Sequence, residues 1–92
     1  MIESIKHRGL RQLFEDDNAR GVNPEHVRKL RQILMALHAA ETVEAMNVPT
    51  FRLHPLKGDL QGVWAIVVRA NWRVIFRFVD DAALDVDYVD YH

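Results

Sequence analysis

The chain contains no cysteine. That excludes a disulfide framework and a thiolate zinc site, and it agrees with a reducing compartment. No apolar run approaches the ~20 residues needed to cross a bilayer. The opening stretch MIESIKHRG lacks the apolar core of a secretory signal, so a cytoplasmic protein without membrane contact is expected. Internal repeats, low-complexity stretches and linkers are also lacking. So is any clustered His/Asp/Glu spacing suited to zinc or magnesium, and neither a metal nor a cofactor is expected. Ninety-two residues suffice for one domain, 1–92, with one thin core between two packed layers.

Net charge is nearly absent too, at −1, but the charges are not evenly spread. Residues 1–50 carry seven bases and seven acids. Residues 51–79 carry Arg52, Lys57, Arg69, Arg73 and Arg77 against Asp59 alone, and residues 80–92 carry five aspartates and no base. A neutral sum therefore conceals a basic stretch able to present a positive patch to phosphates. The competing reading is a solvated sheet face beside an acidic edge.

The apolar residues define the elements. IESI reads as a short strand, and Leu10, Leu13 and Phe14 at helical spacing predict a helix over 7–17. Asn23-Pro24 supplies an N-cap and a proline at the first helical position. From there Val27, Leu30, Ile33, Leu34 and Leu37 keep one helix face apolar to about residue 40. A further turn is predicted through TVEAM before Asn47 and Pro49 break it. From Phe51 the period changes to 2. Four strands are predicted, beginning with Phe51 and Leu53 alternating with Arg52 and His54, then Trp64–Arg69, Trp72–Val79 and Leu84–Val89. Their short connections predict an antiparallel meander with one apolar face against the helices. Trp64 and Trp72 fall in phase with the core. His7, His26 and His38 fall on predicted helices and read as surface residues.

The polar face of this sheet is where chemistry is expected. Arg69 and Arg73 flank a tight turn, and two adjacent guanidiniums hold a phosphate well. His54 ends the first strand of the meander on the same face, and Lys57 projects from the turn after it. Asp90 and His92, two residues apart, would lie roughly 7 Å from each other in an extended strand. Two histidines, a carboxylate, a lysine and an arginine pair match metal-free RNA cleavage. There a base deprotonates a ribose 2′-hydroxyl, cations stabilise the phosphorane charge and an acid protonates the departing oxygen. Taken singly each residue also has a structural reading: a strand end, a turn pair, a solvated arginine face, a frayed terminus. The alternative from another class is a non-catalytic basic-hairpin module binding RNA or protein, which needs the cations but not His54, Asp90 or His92. A DNA-binding regulator is disfavoured because neither helix carries base-reading side chains.

The stretch LHPLKGDLQGVWAIVVRANWRVIFRF, with DYH at the end of the chain, closely resembles the HigB family of toxin–antitoxin toxins within the RelE superfamily. The resemblance covers nearly the whole chain. It implies an α+β, microbial-ribonuclease-type fold, with two N-terminal helices packed on one side of an antiparallel sheet. It implies ribosome-dependent cleavage of messenger RNA in the decoding site, neutralisation by a HigA-type helix-turn-helix antitoxin, and contact with DNA only through the antitoxin complex. Carried over by position, it implies catalytic roles for His54, Lys57, Arg73, Asp90, Tyr91 and His92, with Arg69 and Asn71 contacting substrate. The bases Lys6, Arg8, Arg11, Arg28, Lys29 and Arg31 are candidate ribosomal-RNA contacts.

One conflict stands within this reading. By strict alternation Asp90 and His92 share the face of Val86 and Tyr88, which is the buried one. An unpaired aspartate there would cost several kcal/mol, so a bulge or early strand end near Val89 is expected to turn the tail toward the arginine face.

Overall fold

The computed structural model describes residues 1–91, and the His92 expectation lies outside the described residues. Helix α1, Arg8–Asp16, begins where His7 Nδ1 accepts the Leu10 N–H at 3.0 Å. It ends at Asp17, whose φ of 53° is left-handed. Gly9 lets α1 approach the loop before the next helix, because a Cβ there would lie 2.2 Å from the Gly21 carbonyl oxygen. Asn23 Oδ1 accepts the Glu25 N–H at 2.9 Å and starts a 3₁₀ turn, Pro24–His26, that leads into α2, Val27–Ala39. The helix is thus entered at the expected cap but through a tighter first turn. Leu30, Ile33, Leu34 and Leu37 of α2 are buried, each worth about 1.5–3 kcal/mol. The turn expected in TVEAM is a 3₁₀ helix over Val43–Met46.

The sheet is the expected antiparallel meander, β1-β2-β3-β4 in order, formed by His54–Pro55, Trp64–Arg69, Trp72–Val79 and Ala82–Asp90. Its inner face contributes Ile66, Val74, Phe76 and Val86 to one core with Leu10, Leu30, Ile33, Leu37, Met46 and Phe51. The expected α+β architecture is present.

Four local expectations are corrected. First, IESI is not a strand but two isolated parallel bridges to β4, Ile2↔Ala83 and Ile5↔Val86. Second, Phe51–Leu53 does not pair as a strand. Arg52 is left-handed at φ 51°, and the Val67 N–H reaches past it to the Phe51 carbonyl, so β1 shrinks to two residues. Third, β2 carries an irregularity between Val67, paired with Arg73, and Arg69, paired with Trp72. Fourth, the bulge in β4 is not near Val89. The register shifts between Asp87 and Leu84, around Asp85 at φ 53°. The Asp85 N–H donates to Ser4 Oγ at 2.8 Å. Beyond that bulge the strand runs in register, Tyr88 opposite Val74, Val89 opposite Arg73 and Asp90 opposite Trp72. The bulge also turns Leu84 outward opposite Arg77, leaving Ala83 in the core.

Candidate active site

Register decides which candidate residues meet. Across the open face of the sheet, His54 is level with Ala65, Ala65 with Ile75, and Ile75 with Asp87. One step toward the β2–β3 turn, Val67, Arg73 and Val89 form the next row on the same face. His54 and Arg73 are therefore two strands and two residues apart, about 12 Å between Cα atoms for ideal spacing. Their long side chains flank a shallow floor of Val67 and Ile75, both half-buried.

His54 is held in one form. Its Nδ1 lies 2.8 Å from the Arg52 carbonyl oxygen. A carbonyl only accepts, so Nδ1 carries the proton and a neutral ring keeps its lone pair on Nε2. The left-handed backbone at Arg52 accompanies this geometry, in which the ring reaches the carbonyl two residues upstream. Lys57 is exposed at the head of a 3₁₀ turn, Gly58–Leu60, which the positive φ of Gly58 (67°) permits. The Leu56 N–H donates to Val63 O at 2.9 Å and ties that turn to the sheet.

Arg73 Nη1 donates to the carbonyls of Ala70 at 2.6 Å and Trp72 at 3.1 Å. These bonds hold its head at the turn and leave other guanidinium N–H groups for an anion. Arg69, expected beside it, is elsewhere. The irregularity at Val68 pairs Arg69 with Trp72 on the helix-facing side, where its Nη1 meets Glu25 Oε2 at 3.2 Å. The two guanidiniums thus do not form a clamp on one face. Asn71 is exposed in the turn, and its carbonyl accepts the Tyr91 N–H at 2.8 Å, carrying the β4 ladder one residue further.

Asp90 sits opposite Trp72 on the helix-facing side of the sheet. It escapes the burial that alternation threatened because it is exposed at the strand end, past the core. Tyr91 follows, exposed, at the end of the ladder. The candidates therefore fall into an open-face pair, His54 and Arg73, and a turn-end group, Arg69, Asn71, Asp90 and Tyr91, with Lys57 exposed in the loop after β1.

Of the histidines expected at the surface, His38 is exposed, His7 is half-buried and His26 is buried, and each has a hydrogen-bond partner. His38 Nδ1 accepts the Ile2 N–H at 3.1 Å, and His7 caps α1. His26 is buried, with its Nδ1 hydrogen-bonded to the Tyr88 hydroxyl at 2.6 Å. Burial lowers the His26 pKa from 6.5, helped by the Arg69 charge and opposed by Glu25. Burial also raises that of Tyr88 from 10.0; a backbone hydrogen bond at Asn23 opposes this and the Asp90 charge adds to it. A signal for His26 was present in the sequence, since it continues the Leu30, Ile33, Leu37 stripe one turn upstream. Of the helix-surface bases, Lys29 donates to Thr50 O at 2.7 Å and Arg31 pairs with Asp17 at 2.7 Å.

Comparison with known proteins shows the family and the fold. A family profile described as the RelE-like toxin of type II toxin–antitoxin system HigB matches residues 3–92. The chain is 44% identical over 92 residues to Endoribonuclease HigB of Proteus vulgaris, covering the whole of both. It is 33% identical over 94 residues to Toxin HigB-1 of Vibrio cholerae, covering all of this chain and 98% of that one. In fold it is similar to the crystal structure of YafQ from E. coli strain BL21(DE3), with a TM-score of 0.57 and 14% identity over 98% of this chain and 91% of that one.

Proposed function

The chain belongs to the RelE-like HigB toxins of type II toxin–antitoxin systems, and from that premise we propose that it is a ribosome-dependent messenger-RNA endonuclease that works by attack of the ribose 2′-hydroxyl. Membership makes it an endoribonuclease with an antitoxin partner. The observation that carries the finer reading is the His54–Arg52 hydrogen bond. It leaves Nε2 as a base at the rim of an open face that also bears Arg73 and is flanked by Lys57.

In this mechanism His54 Nε2 takes the 2′-hydroxyl proton, and the freed oxygen attacks the adjacent phosphorus. Lys57 and Arg73 stabilise the charge that builds on the phosphoryl oxygens. The bond to the 5′-oxygen breaks, and that oxygen takes its proton from a protonated His92, the tail residue that follows Asp90 and Tyr91. The products are a 2′,3′-cyclic phosphate and a 5′-hydroxyl end. No metal enters any step. Arg69 and Asn71, both at the turn end, contact the strand beyond the scissile bond on that side.

The open face is shallow, and a grip on a flexible single strand from so few cations is weak. Presentation of a bent, ordered codon by the ribosome would supply the missing positioning. The protein then acts in the cytoplasm, is held inactive by a HigA-type helix-turn-helix antitoxin, and meets DNA only through that complex. Inducing the chain in bacteria and mapping new RNA ends tests the reading. New 5′-hydroxyl ends inside translated codons are expected, and ends scattered equally over untranslated RNA would contradict it.

A further inference from the structure

We infer that the buried His26–Tyr88 pair is a positioning device that fixes the end of β4, and with it the tail that begins at Asp90. The inference rests on the proposed function for the role of that tail.

His26 is the one polar side chain other than Tyr88 buried in the core among the described residues. A leucine on the same helical stripe would fill the space without the cost of desolvating an imidazole. The polar choice is matched by a single partner, the Tyr88 hydroxyl at 2.6 Å. The Tyr88 ring is held on its other sides as well. Trp72 stacks on it at 4.5 Å with an interplanar angle of 28°, and His7 meets it edge-on at 5.2 Å. His26 in turn meets Trp72 edge-on at 5.6 Å. The clamp thus joins the α1 cap, the 3₁₀ turn before α2, β3 and β4.

Tyr88 precedes Asp90 by two residues, and Asp90 is paired with Trp72, the residue stacked on Tyr88. A one-residue slip of β4 would carry Asp90 to the opposite face. A two-residue slip would keep the face but move it roughly 7 Å. Aromatic packing alone tolerates sliding, whereas a short hydrogen bond between buried atoms does not. The bulge at Asp85 shifts the register by one residue upstream, so the pair at Tyr88 lies between that shift and the strand end.

Tyr88→Phe isolates the hydroxyl, since it keeps the ring and its stack on Trp72. In the whole protein, hydrogen exchange of the Tyr91 amide, bonded to Asn71 O, should quicken by about tenfold or more, while amides in α2 stay protected. Single-turnover cleavage at saturating ribosomes should fall by about tenfold or more, with the half-saturating ribosome concentration unchanged. His26→Gln, whose amide can still bond the hydroxyl, should recover most of the loss seen in His26→Leu. Wild-type exchange at Tyr91 in Tyr88→Phe would overturn the inference, as would faster exchange with undiminished cleavage. Should the wild-type chain itself fail to cleave, the proposed function falls, and the exchange comparison alone decides whether the pair orders the strand end.

Discussion

The imidazole of His54 is tied through Nδ1 to the Arg52 carbonyl oxygen at 2.8 Å, two residues upstream in the same chain. The contact is local, so the ring does not depend on a distant partner for its orientation. It also fixes the tautomer by chemistry, because the carbonyl can only accept.

His54→Ala should therefore lower the single-turnover cleavage rate by about 10²–10⁴-fold, the usual worth of one acid–base group. Ribosome binding and melting temperature should stay near wild type, since the ring is half-exposed and supports no core. Nitrogen chemical shifts of the free protein above neutral pH should report a protonated Nδ1 and an unprotonated Nε2. An Nε2–H tautomer would remove the base from this account.

The two arginines at the β2–β3 turn should behave differently, because they occupy opposite faces. Arg73→Ala should slow cleavage by about 10²–10³-fold, as expected for losing a charge-stabilising donor at the reacting phosphate. Arg69→Ala should act mainly on substrate affinity. Its exposed pair with Glu25 contributes at most ~1 kcal/mol to stability. Measuring rate at saturating ribosomes against the half-saturating concentration separates the two effects. Equal losses of maximal rate would argue for a joint clamp instead.

The His26–Tyr88 pair predicts a plateau in stability with pH. Below 6.5 an unfolded histidine takes a proton that folded His26 resists, because burial lowers its pKa. The unfolded state then binds more protons, so the pair's contribution falls as pH drops through 6.5 toward the folded value. Above 10.0 the unfolded tyrosine loses a proton that folded Tyr88 keeps, because burial raises its pKa. The contribution falls again as pH rises past that point. Urea midpoints should be most favourable between these limits. The drop from pH 8 to pH 5 should shrink in His26→Gln, and an unchanged drop would assign the acid sensitivity to other groups.

Gly9 should not tolerate a side chain. A Cβ there would meet the Gly21 backbone, with the carbonyl oxygen at 2.2 Å, and backbone cannot rotate aside. Gly9→Ala should cost about 1–3 kcal/mol through overpacking, read as a lowered urea midpoint. Gly58→Ala, with no atom within 4 Å of its Cβ but a φ of +67°, should cost only the smaller backbone strain, ~1 kcal/mol.

Much of this arrangement was legible in the sequence. Asn23-Pro24 and the stripe from Val27 to Leu37 marked α2. The change to a period of 2 marked β2, β3 and β4 and their order. The faces at the turn were less legible. A bulge adds one residue without changing composition, so nothing in VVRAN signals that Val68 would shift Arg69 to the face of Trp72. The same applies to Asp85, where an unbroken LDVDY alternation hides a left-handed residue held by Ser4 and 3.9 Å from Arg77. His26 was misread for a different reason. Polar type outweighed position, although its spacing placed it on the buried stripe. The candidate site residues stand out by motif, whereas their division between two sides of the sheet depends on pairing that only the fold determines.

The central claim is that the ribosome supplies the substrate geometry this shallow face lacks. The direct test is single-turnover cleavage of one message by purified protein, once as naked RNA and once with its codon in the decoding site of a ribosome, at matched concentration and salt. The account predicts cleavage at least about a hundredfold faster on the ribosome, the cost expected when positioning is lost. Equal rates on both would contradict it.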